Sequence, residues 1–171
     1  MLYVNDYLVT EEKELETVTQ QLKEYLSKEK LIIIRPNQEP FTQDELESLL
    51  MSNKEECRLV AMNTSKLLRE FKGELESYIR KVETYIDDMR ETENFANVLN
   101  GFVQVIEALI EFSSVERFLQ KKLVDKQQLN ELSTKALTRA EEGNFEYVLD
   151  VLEYEVFPLL QHFLDETNEV M

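Results

Sequence analysis

Glycine and proline are scarce in this sequence, with 3 of each among 171 residues. A β-sandwich or barrel would need more of both for its turns, so the scarcity points to long helices. The single cysteine, Cys57, excludes an internal disulfide and suits a reducing, cytoplasmic setting. The single histidine, His162, leaves little material for a histidine-rich metal centre or a nucleophilic dyad. Positive charge is also short: 19 Lys and Arg face 35 Asp and Glu, for a formal charge of -16. That balance repels phosphate backbones and anionic headgroups, so neither nucleic acid nor a membrane is the expected partner. No apolar run approaches the roughly 20 residues that span a bilayer. The start, Met1-Leu2-Tyr3-Val4-Asn5-Asp6, shows no secretion signal. Glycine-rich phosphate loops, Gly-x-Ser-x-Gly turns and Cys-x-x-Cys pairs are missing too, so no cofactor and no catalytic residue is expected.

What is present is enough for a folded core, at 43% hydrophobic and 32% charged residues. The strongest periodic signal is the series Cys57, Ala61, Thr64, Leu68, Phe71, Leu75, Tyr78, Val82, Tyr85 and Met89, spaced alternately by four and three. This is a heptad stripe, and it predicts one long helix from Asn53 to Arg90 with Gly73 as its weak point. Before it, Leu2-Tyr3-Val4 and Tyr7-Leu8-Val9 read as a hairpin turning at Asn5-Asp6. Thr10 would cap a helix bearing Leu15, Val18, Leu22, Tyr25 and Leu26, and Leu31-Ile34 reads as a strand, with Phe41 a brief strand residue. Residues 1–41 are therefore expected to form a small β-β-α-β module. Thr42 and Glu45 make a capping box with a Phe41/Leu46 staple, and Asn53 with Glu56 offers a second cap beyond Ser52.

Past the long helix, Phe95, Val98, Leu99, Phe102, Val103, Ile106, Leu109 and Ile110 supply its partner stripe, with a break expected near Ser113. Asp125 caps a further helix that Gly143 ends. The last helix carries Pro158 inside it, which predicts a kink, and fraying is expected beyond Leu164. The expected fold is α+β, mainly α: the β-β-α-β module packed on an antiparallel helical bundle, residues 42–171, with one long helix.

Several constellations bear on function. Asn100, Gln104, Glu107 and Glu111 form a polar row on an otherwise apolar helix, and a buried Glu107–Glu111 pair would suit proton transfer. A di-iron centre would also need Glu-x-x-His pairs, and no acid lies three residues before His162. Cys57 lies on the apolar stripe without a basic neighbour, as an inert buried thiol would. Glu146, Asp150, Glu153 and Glu155 make an acidic ridge, too straight for a tight cation site and best read as a solvated face. With Tyr147, Tyr154 and the fixed bend at Pro158, that ridge is a candidate docking surface made of Tyr147, Asp150, Glu153, Tyr154 and Glu155.

The segment Leu152-Glu153-Tyr154-Glu155-Val156-Phe157-Pro158 resembles a Leu-Glu-Tyr-Glu-x-x-Pro-like stretch that closes the helical domain of a group of uncharacterised small bacterial proteins. The resemblance covers about the last 20 residues and implies no activity. The sequence thus points to a non-enzymatic adaptor that binds another protein. A chaperone holding a partner's amphipathic helix is the alternative, and a carboxylate enzyme using Glu107 and Glu111 a distant third. A homodimer through the long helix or the Leu31–Ile34 strand edge is a further expectation.

Overall fold

Asn5 and Asp6 adopt left-handed backbone angles, φ 47° and 66°, and so close the hairpin between β1 (Leu2–Val4) and β2 (Tyr7–Thr10). This description comes from a computed structural model, which describes residues 1–52 and 55–171. Helix α1 (Leu15–Glu29) begins beyond Thr10, which belongs to β2 and accepts a hydrogen bond from the Glu12 N–H at 3.0 Å. Lys30, at φ 54°, ends α1 and leads straight into β3 (Leu31–Ile34). The capping box is as expected. Glu45 N–H donates to Thr42 Oγ1 at 3.2 Å, Thr42 N–H donates to Glu45 Oε2 at 3.0 Å, and α2 (Gln43–Ser52) follows. The second cap expected at Asn53 lies outside the described residues.

Residues Cys57–Asn63 are a strand, β4, and not the start of the long helix. Cys57, Leu59 and Ala61 are buried while Arg58 and Val60 point outward, a period of two. β4 is also an inner strand: the sheet order is β2-β1-β4-β3, with β4 parallel to β1 and antiparallel to β3. Leu2, Val4, Leu22, Ile33, Leu50 and Leu59 make the core beneath it. At the β3 edge, Pro40 bridges Ile34 and Phe41 N–H donates to Ile33 O at 3.1 Å, so the brief strand position falls on Pro40 instead of Phe41. By its contacts the chain divides into two units, Met1–Leu67 and Leu68–Met171. The N-terminal module is thus β-β-α-β-α-β and ends at Leu67, where the sequence suggested Phe41.

The long helix, α3, runs Ser65–Thr92 without a break at Gly73. From Leu68 onward the heptad stripe is helical: Leu68, Leu75 and Val82 are buried two turns apart, Phe71, Tyr78, Tyr85 and Met89 are half-buried, and Ile86, which lies off that stripe, is buried beside it. Its antiparallel neighbour is α4 (Val98–Phe112), whose Phe112 meets the rings of Phe71 and Tyr78 edge-on at 5.7 and 5.5 Å. The expected break at Ser113 is a single 3-10 turn, Ser113–Val115, leading into α5 (Glu116–Leu119). Together Val98–Leu119 spans 22 residues and is apolar enough by composition to cross a bilayer, which corrects the expectation that no run approaches that length. Phe102, Val105 and Leu109 on this stretch are buried in the core of the second unit.

Asp125 Oδ1 accepts from Gln127 N–H at 2.9 Å and caps α6 (Lys126–Glu141). Gly143, at φ 78°, ends it as expected: its N–H donates to Ala140 O at 3.0 Å and Asn144 N–H donates to Arg139 O at 2.8 Å. Helix α7 (Phe145–Val151), a wide turn at Leu152–Val156 and α8 (Phe157–Val170) complete the chain. α8 does not fray at Leu164. Thr167 is fully buried and returns its hydroxyl proton to Phe163 O at 2.8 Å. The fold is α+β, mainly α, with a four-stranded mixed sheet in the N-terminal unit.

Candidate partner-binding surface

Pro158 shapes the surface. It has no N–H to continue the helix ladder, and in a regular helix its ring would press on the carbonyl four residues earlier, that of Tyr154. The chain answers by widening: Phe157 N–H donates to Leu152 O, five residues back, which makes Leu152–Val156 one turn of π-helix. The bend expected from Pro158 therefore takes the form of this wide turn. Tyr154 sits on it and is 67% exposed, more than any other large apolar or aromatic side chain described in the second unit.

The acids around Tyr154 are held from below. Arg90, near the end of α3, places Nη2 at 2.6 Å from Asp150 Oδ1 and 3.0 Å from Glu153 Oε2, with Nη1 at 4.0 Å from Glu146 Oε1. Burial opposes the Arg90 charge, but the hydrogen bonds to Asp150 and Glu153 outweigh it and keep the guanidinium pKa above its usual value. The tight Gly143–Asn144 connection turns α7 back along α6, so α6 cations reach the other side of the ridge. Lys135 Nζ lies 3.1 Å from Glu155 Oε2, and Lys135 and Arg139 stand 5.6 and 4.8 Å from the centre of the Tyr147 ring. Contacts with Tyr147 and then Glu155 raise the Lys135 pKa, and its bond to Glu142 raises that of Arg139.

The five residues singled out from the sequence therefore fall into two roles. Tyr147, Asp150, Glu153 and Glu155 are engaged inside the chain, and Tyr154 stands exposed beside them. The ridge faces solvent at Glu146 and Glu155, and its acids are also paired with cations, which its sequence alone does not show. Arg90, Lys135 and Arg139 were not among the candidates. Lys135 and Arg139, one turn apart in the C-terminal half of the helix that Gly143 ends, are a readable signal for pairing with an acidic helix that folds back on them.

Asn100, Gln104, Glu107 and Glu111 are all exposed on α4. A solvent-facing row is not the enclosed pair that proton transfer at Glu107 and Glu111 would need, so the geometry gives no support to that reading. Tyr78 is different: burial, and then the nearby Glu111, push its pKa up, and its hydroxyl donates to Gln104 O at 3.4 Å. Cys57 is buried, on β4, and lines an open cleft of about 390 Å³ in the first unit with Leu2, Leu15, Leu50 and Met51. His162 is exposed on α8. Among the described residues no three His, Cys, Asp or Glu side chains gather where they could hold a metal ion. No protein-family model matches the chain, and neither a curated protein nor a solved structure matches it.

Proposed function

We propose that this protein is a cytoplasmic, non-enzymatic adaptor that recognises another protein through Tyr154 and the turn that carries it. The observation behind this reading is an exposed tyrosine on a π-turn whose flanks are fixed by Arg90 below and Lys135 beside it. Tyrosine brings large contact area at small entropic cost, and a rigid mount removes most of the ordering cost of binding. Single π-turns within helices recur at functional sites. The sequence resemblance to small bacterial helical proteins rests on this same Leu152–Pro158 segment.

The test is affinity recovery from the native host with wild-type protein and with Tyr154→Ala. The variant folds with an unchanged thermal midpoint, because the side chain is exposed, and it loses a protein that the wild type retains. Equal recovery by both proteins would remove Tyr154 from the reading.

A further inference from the structure

Helix α4 presents a second surface of different chemistry. Val103 and Ile110 are two turns apart on one line of the helix and remain 45% and 52% exposed, with the half-buried Leu99 one turn before Val103. Beside that line stand Glu107 and Glu111. Both are exposed, and among the described residues neither meets a Lys or Arg, in contrast to the ridge along α7 and its wide turn, whose acids pair with Arg90 and Lys135. α4 itself contains no Lys or Arg. An apolar line edged by uncompensated carboxylates is complementary to a helix with apolar residues on one stripe and Lys or Arg beside it.

We propose that the outward face of α4 docks a basic amphipathic helix of a partner protein, with Val103 and Ile110 as apolar anchors and Glu107 and Glu111 as charge partners. This rests on the reading that the chain works by binding protein, but it uses a face separate from Tyr154. A second copy of the chain fits poorly: two α4 helices laid side by side would set Glu against Glu with no base to separate them. An anionic membrane meets the same repulsion.

The test uses a synthetic amphipathic helix of Leu and Lys, a scrambled peptide of the same composition, and a Leu and Glu counterpart, each titrated by fluorescence anisotropy. Wild type should bind the Leu/Lys helix more tightly than the scramble. Val103→Ser with Ile110→Ser should weaken that binding about 10-fold or more, while Tyr154→Ala leaves it unchanged. Glu107→Lys with Glu111→Lys should lose the Leu/Lys helix and gain the Leu/Glu helix. All these positions are exposed, so circular dichroism should show an unaltered fold. Equal binding of helix and scramble, indifference to both pairs of substitutions, or vesicle binding that alone depends on Val103 and Ile110 would overturn the proposal. Failure here with Tyr154-dependent recovery intact would leave the adaptor reading standing.

Discussion

A methyl group placed on Gly101 would overlap the ring of Tyr85, whose hydroxyl donates to Asn97 O at 3.4 Å. Gly101 is where α3 and α4 approach closely enough for a tyrosine to lie over bare backbone. At Gly73 a methyl group would meet nothing within 4 Å, although both glycines lie inside helices. Their substitutions should therefore differ in sign. Gly73→Ala should stabilise by up to about 1 kcal/mol through helix propensity, whereas Gly101→Ala should destabilise by about 1–2 kcal/mol through overpacking. In a Tyr85→Ala background Gly101→Ala should become stabilising, a reversal that urea unfolding of the double-mutant cycle would detect. Residue-level charge gives a second expectation. Lys121, bonded to Glu166 at 2.5 Å, holds that carboxyl below its usual pKa, and Arg35 does the same for Glu45. A carboxyl with a lowered folded pKa contributes stability above its unfolded pKa and loses that contribution as pH falls through the folded value. In an NMR pH titration, the Glu166 midpoint should rise toward the ordinary carboxylate value in Lys121→Gln, and an unmoved midpoint would detach Glu166 from Lys121.

At the scale of elements, ends were easier to read than identities. Thr42 with Glu45, Asp125 and Gly143 each act locally, through bonds within a few residues, and each does in the structure what its residue type implies. Cys57–Asn63 is the exception, a strand where the heptad spacing predicts helix. A spacing of four, as between Cys57 and Ala61, is two strand periods and also about one helical turn, so those two residues fit either element. Only the residues between them decide, and Leu59 falls on the buried side of a strand but off the heptad stripe of a helix. The strand prevails because β1 and β3 both pair with it, a tertiary requirement that no local window contains. Leu59 is the diagnostic position. As a buried residue of an inner strand, Leu59→Ala should cost about 2–4 kcal/mol, while the exposed neighbour Val60→Thr should cost well under about 1 kcal/mol. Similar urea midpoints for the two variants would restore the helical reading of this segment.

Across the whole molecule, a charge of -16 conceals an uneven distribution. The ridge along α7 and its wide turn carries four acids and the row on α4 carries two, yet the first meets cations from α3 and α6, while among the described residues the second meets none. The Arg90–Asp150 pair joins residues 60 positions apart, so no reading of the α7 segment alone could reveal it. Tyr154 was legible as an aromatic next to a fixed bend, but its isolation came from the engagement of its neighbours. Site-directed photo-crosslinking from position 154 in the native host examines this role most directly. A photoreactive tyrosine analogue at 154 should give one dominant protein adduct, absent when the same group is placed at the exposed position Thr134 on α6. Identical adducts from both positions, or none from 154, would contradict recognition through this turn.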